Sequence, residues 1–247
     1  MAATVEASRL TEQQRRLQLA LRALALRDVI AVWRLLDPTA VDATWPGVET
    51  AVMRIVQARR AESAMLAARY IAAFRAAELG GSAGAPPAVP PAPLPEQALR
   101  VSLTVTGLAT IKRLTQTTRS AEEASRVALT RVAGAVGRYV LDGGRQMLTD
   151  TVRADRRALG WARIASGSAC AFCAMLASRG PVYRSQRTAG FDAHDNCACA
   201  VEPVYRRDAA WPATSQRYAE LWETATAGLS GKAAINAFRR ALDAQRS

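Results

Sequence analysis

The sequence predicts a mainly α protein: a long N-terminal helical hairpin, a Pro-rich linker, a helical middle region, a small cysteine-bearing module and C-terminal helices. Half of the residues are hydrophobic yet only 6% are aromatic. With alanine abundant, that balance favours helices packed through small side chains over a β-sandwich rich in Val, Ile, Thr and Tyr. Apolar residues also recur at helical spacing over long stretches. Charged residues make up 22% of the 247 positions, which is ordinary for a globular protein and leaves room for one large or two modest domains.

Residues 1–79 read as the helical hairpin. Thr11 and Gln14 have the form of a capping box, which would satisfy two orphan N–H groups at a helix start. Leu17, Leu21, Leu24, Ala25, Val29, Val32 and Leu36 then form one apolar stripe. Asp37-Pro38 ends it, because the residue before a proline is pushed out of the α region. A second helix is expected from near Thr44, with Pro46 in its first turn, running to Leu79 and burying Val48, Val52, Ile55, Leu66, Tyr70 and Phe74. Two long helices joined by a short loop predict an antiparallel pair.

Residues 80–95 (GGSAGAPPAVPPAPLP) hold six of the eleven prolines, too many for a helix or strand. They read as a stiff, extended linker, with a Pro-rich docking peptide as the alternative. The helical region 96–160 opens with a helix over Glu96 to Thr118, weakened by the β-branched run VSLTVTG. Ser120 with Glu123 is a second capping box, opening a helix to Leu141. Asp142-Gly143-Gly144 is expected to break or kink it, Arg145 to Leu159 to resume it, and Gly160 to cap it. Residues 161–207 are short-segmented and turn-rich. The tail, 208–247, carries two helices, about Thr214 to Ala227 and Gly231 to Gln245, the latter capped by Ser230.

The formal net charge is +12, and only Lys112 and Lys232 among the basic residues are lysines. Such a charge attracts polyanions at moderate salt. The basic residues are scattered, with no polybasic tract, so two readings stay open: contact with DNA or another acidic partner, and a merely solvated surface. Arg153, Arg156 and Arg157 share one helix face that could touch phosphates. The N-terminus MAATVEASRL lacks the pattern of a signal peptide, and no apolar run reaches the roughly 20 residues that span a bilayer. A reducing compartment is therefore expected, with no membrane contact.

All four cysteines fall between 170 and 199, with the single histidine beside them. The pattern is Cys170-Ala-Phe-Cys173, twenty residues, then His194-Asp-Asn-Cys197-Ala-Cys199. C-x-x-C sets two thiolates on one side of a tight turn, and His194 with Cys197 can do the same from the second arm. In a reducing compartment the clustering reads as a structural zinc site rather than as disulfides. Five candidates compete for four tetrahedral positions. Cys170, Cys173, His194 and Cys197 are the first choice and Cys199 the spare, with the four-cysteine set as rival. Residues 161–207 then form a zinc-knuckle-like module, in which the ion closes a loop that has little apolar surface of its own. Phe172 and Phe191 flank the arms and are expected to pack over the metal.

A crowded ligand set implies no open catalytic position. H-E-x-x-H is impossible with one histidine, and a deaminase signature is absent. A Ser–His protease would need His194 as base, with Ser166, Ser168 or Ser178, in competition with the metal. A Cys–His protease meets the same conflict. Trp161, Trp211 and Trp222 read as packing anchors.

The run GWARIASGSACAFCAMLASRGPVYRS (160–185), with FDAHDNCAC (191–199) and VEPVY (201–205), resembles the Mu F-like minor head proteins of tailed bacteriophages, in the version found in phages of actinobacteria. YVLDGGRQMLTDTVRAD (139–155) and FRRALDAQR (238–246) fit the same group. The resemblance implies a minor capsid protein of the virion, made in the host cytoplasm. It would associate with the portal protein and with the major capsid or scaffold protein, and would meet DNA as a further expected partner. It also brings a label of capsid maturation protease, although no protease triad maps onto this chain. Relatives share the pattern at Cys170, Cys173, His194, Cys197 and Cys199. Many carry Arg where this chain has Ala198, so no role for that Arg transfers.

Overall fold

In the computed structural model, residues 4–81, 84–117, 120–165, 169–180, 193–209 and 211–245 are described. The fold is mainly α. Helices α1 (Val5–Trp33), α2 (Val41–Leu79) and α5 (Ala121–Ala154) form a three-helix bundle, with the short α3 (Glu96–Thr106) and α4 (Leu108–Thr115) packed on it. A two-stranded antiparallel hairpin follows, β1 (Gly160–Ile164) with β2 (Ala200–Val204), in register Gly160 to Val204 and Ala162 to Glu202. The short α6 (Ala171–Ala177) lies between the strands in sequence, and α7 (Ala213–Thr226) and α8 (Gly231–Ala244) close the chain.

The core crosses the Pro-rich segment. Leu21, Val29 and Trp33 of α1 meet Val48, Val52 and Val56 of α2, Leu99 and Leu103 of α3, and Val132 and Val136 of α5. At the other end of the bundle, Tyr70, Ile71 and Phe74 pack with Leu148 and Val152 and with Trp161, Val201 and Tyr205 from the hairpin. Among the described residues of 80–95, 84–95 form neither helix nor strand, as the prolines dictate. They run along the bundle as a strap. Arg75 Nη1 donates to Gly84 O at 2.8 Å, Val89 N to Thr151 Oγ1 at 3.1 Å and Arg60 Nη2 to Ala92 O at 3.2 Å, and Leu94 packs on the first core.

Several expected boundaries shift, each for a physical reason. Helix α1 starts before Thr11: Thr4 is its N-cap, accepting from Ala7 N, while Thr11 is buried with its hydroxyl 2.8 Å from Tyr70 Oη. Helix α2 begins at Val41, so Pro46 lies in the second turn rather than the first. The helix expected over 96–118 divides at Gly107, where any Cβ would run into the Trp45 ring. The Ser120 cap is real, its Oγ accepting from Glu123 N at 3.2 Å. Asp142-Gly143-Gly144 does not interrupt α5. The glycines let α2 approach: a Cβ at Gly143 would strike the Arg60 carbonyl, and Gly144 N donates to Ser63 Oγ at 2.9 Å. Helix α5 stops at Ala154 instead of Leu159, and Gly160 opens β1 instead of capping a helix. Ser230 stands at the N-cap of α8 without a side-chain capping bond.

Candidate metal centre

The first cysteine arm sits where β1 gives way to α6. Cys170 is the N-cap of α6 and its Sγ accepts from Cys173 N at 3.4 Å, so the C-x-x-C turn is a helix start that faces both thiols the same way. The second arm, 193–199, leads into β2, and pairing of β2 with β1 brings the arms together. Cys170 Sγ lies 2.7 Å from His194 Nε2, Cys173 Sγ lies 3.6 Å from the same nitrogen, and Cys173 Sγ lies 3.5 Å from Cys197 Sγ. All four cysteines are free thiols.

The donors form two overlapping triads, Cys170–Cys173–His194 and Cys173–Cys197–Cys199, each within 4.8 Å, with Cys173 common to both. These groups could hold a metal ion. Zn–S bonds of about 2.3 Å in a tetrahedron set neighbouring sulfurs about 3.8 Å apart, close to the spacings around Cys173. The 2.7 Å Cys170–His194 contact is that of a hydrogen bond, and the pair would open slightly to share an ion. His194 Nδ1 is 2.6 Å from Asp195 O. A carbonyl only accepts, so Nδ1 carries the proton and Nε2 presents its lone pair to the thiols, the tautomer a metal-ligating histidine needs.

Packed together, the thiols cannot all ionise. Cys173 is pushed far up by its bonds to Cys197 and Cys199 and by burial, whereas Cys197 is held well below the usual thiol range by the same bonds from Cys173 and Cys199 and by the Arg145 charge. For Cys199 the bond with Cys173 acts downward, but Cys197 and burial push it up to about 12. Burial acts upward on Cys170, yet the Cys173 N–H and His194 bring it below the ordinary value. Burial also lowers His194, and the bonds to Asp195 O and Cys170 reverse that. A divalent cation would remove the repulsion that keeps neighbouring thiols protonated.

Arginines fix the second arm to the bundle. Arg145 of α5, 4% exposed, donates to Cys197 O at 2.8 Å and to Cys199 O at 3.0 and 3.2 Å, and pairs with Asp142 at 2.8 Å. Arg138 Nε donates to Asp195 Oδ1 at 2.9 Å and Arg22 Nη2 to Asn196 Oδ1 at 3.1 Å. Asn196 adopts the left-handed region, φ 67°, which turns the arm between His194 and Cys197. The buried Arg163 of β1 reaches to 4.0 Å from Cys173 Sγ. Sequence reasoning singled out the five cysteine and histidine side chains that the structure brings together, but missed these arginines. The available signal was Arg145 itself, which with Asp142 sets two opposite charges among Val140, Leu141, Met147 and Leu148.

Beneath the donors, Cys173, Cys197 and Cys199 pack with Ala174, Tyr218, Phe238 and Leu242, so α7 and α8 close the far side. Phe172 is 41% exposed and meets the His194 ring edge-on at 6.3 Å. Ser178 Oγ donates to Met175 O at 2.8 Å. Ser166, Ser168 and Phe191 lie outside the described residues. Trp161 is buried in β1, Trp222 packs on Phe238 at 5.2 Å, and Trp211 fills the space beside Gly180.

Fold and site together define a helical-bundle protein whose small hairpin module is closed by a cysteine–histidine cluster. The VG15 protein family matches residues 1–225, and the chain belongs to that family. It is also similar to the Gene 15 protein of Mycobacterium phage D29, with 30% identity over 172 residues, covering 50% of this chain and 62% of that relative. The chain thus spans less than two thirds of the length of the relative it matches. No solved structure matches it significantly. No helix among the described residues is long and apolar enough to cross a membrane.

Proposed function

We propose that this chain is a minor capsid, head-morphogenesis protein of the Mu F-like kind, in which a structural zinc ion stiffens the module that meets its partners. The carrying observation is the convergence of both cysteine arms on Cys173, seated on a helical bundle, in a chain related to a phage protein. The partners are the portal protein, the major capsid or scaffold protein, and packaged DNA, inside the virion after assembly in the host cytoplasm. An ion held by these side chains would add local free energy to the loop that joins the two cysteine arms, whose sequence is poor in bulky apolar residues. Co-expression with portal, scaffold and major capsid proteins, followed by purification of particles, tests the assembly role. The chain is expected to co-purify with portal-containing particles. Particles of normal composition and yield formed without it would overturn the reading.

A second reading, capsid maturation protease, draws on the 2.7 Å contact between Cys170 and His194, the spacing of a thiol and its base. Cys173 shares that imidazole at 3.6 Å, which favours the metal. Processing of scaffold or capsid protein that is lost in Cys170→Ser, or in Ser→Ala changes at 166, 168 or 178, would reverse the order.

A further inference from the structure

We infer that the bundle end bearing Arg153, Arg156, Arg157, Arg206 and Arg207 is a binding surface for a nucleic-acid backbone. This deepens the reading of DNA as a partner. The two arginine groups are about fifty residues apart, and one buried carboxylate joins them. Asp155 Oδ1 accepts the Arg157 N–H at 3.0 Å, and its Oδ2 accepts from Tyr205 Oη at 3.0 Å and from Arg75 Nε at 2.7 Å. Leu159 N donates to Val204 O at 2.7 Å, extending the hairpin to the same point. The turn after α5 and the turn after β2 are thereby one rigid platform.

All five arginines are exposed. Arg153 pairs with Asp150 at 3.1 Å and Arg206 with Asp208 at 2.8 Å, and the buried Glu78 also acts on Arg206. Asp155 is spent on Arg75 and Tyr205. That leaves Arg156, Arg157 and Arg207, for which no ion pair is seen among the described residues, as a surplus of three guanidinium groups. Guanidinium forks bind phosphate oxygens in pairs. No large apolar side chain of 150–159 or 205–209 is exposed, so the platform lacks the apolar centre that a protein interface wants. No amide or aromatic side chain is exposed beside the arginines in these two segments, so binding should be independent of sequence.

The test is binding of labelled duplex DNA, followed by anisotropy across a salt series, with the full chain. Each phosphate neutralised contributes roughly 0.9 to the slope of log K against log salt. The triple variant Arg156→Ser, Arg157→Ser, Arg207→Ser should therefore flatten the slope by about 2 to 3. A control triple at the opposite bundle end, Arg27→Ser, Arg34→Ser, Arg126→Ser, should leave it nearly unchanged. Arg207→Glu alone, on the exposed turn, should weaken binding in the same direction and guards against a misfolded triple. Equal losses in both triples would mean diffuse charge and overturn the assignment. So would binding of polyglutamate as tight as that of DNA at matched charge, or no DNA binding at low salt. Co-purification with portal-containing particles is read separately, so either idea can fail alone.

Discussion

Arg145 closes on the carbonyl oxygen of Cys199 through two nitrogens, at 3.0 and 3.2 Å, from a helix more than fifty residues earlier. The donors of the cluster are therefore held from the bundle as well as from their own loop. Arg145→Lys keeps the charge and loses the fork that serves both Cys197 O and Cys199 O. We expect metal affinity to fall by about 10- to 100-fold, the usual effect of removing a group that orients a ligand. Competition with a chromophoric chelator measures this, with the helical circular dichroism unchanged.

Cys173 belongs to both donor triads, so it is the single most damaging position. Purified without added metal, the chain should carry about one zinc by native mass spectrometry. Cys173→Ser should carry almost none, and Cys199→Ser should keep its ion if Cys199 is the spare. Chelation should lower the melting temperature of the wild type and leave Cys173→Ser unaffected. A fully loaded Cys173→Ser protein would refute the shared centre.

Asp155 and Arg75 form a buried pair, their side chains 4% and 5% exposed. Burial alone would raise the Asp155 carboxyl. Arg75, the Arg157 N–H and the Tyr205 hydroxyl overcome it and hold the group below its ordinary 3.8. A depressed carboxylate adds stability that is present above the ordinary value and lost as the pH falls through the depressed one. Asp155→Asn should cost about 3–5 kcal/mol at neutral pH, because it leaves the buried Arg75 charge without a carboxylate to balance it. The gap between variant and wild type should then narrow below about pH 4, as urea titrations at several pH values would show.

Gly143 is a point of contact between helices. Its missing Cβ would meet the backbone carbonyl of Arg60, which cannot swing away. Gly143→Ala should destabilise by about 1–3 kcal/mol through overpacking, despite a helix-propensity gain of up to about 1 kcal/mol. Gly47, with open space around it, should accept alanine without loss. Equal melting temperatures for the two variants would show that α2 and α5 do not lie this close.

The helices were legible because their apolar residues repeat every three to four positions, and the Ser120 cap because Glu123 and a long apolar run follow it. Thr11 misled because a Thr-x-x-Gln pattern also arises inside a helix, where this threonine instead meets Tyr70 across to α2. The strands GWARI and AVEPV escaped notice since four of five residues in each are buried, and no alternation of apolar and polar residues marks them. The five donors announced themselves by spacing. Arg145, Arg138 and Arg22 did not, because their partners lie 52 to 174 residues away and arginine is common throughout the chain.

The strap between α2 and α3 is stitched down at Gly84, Val89 and Ala92, with Leu94 sunk into the first core. A protease cutting there would nick the molecule without severing it. The two fragments would remain one particle in solution, held by a core to which both contribute.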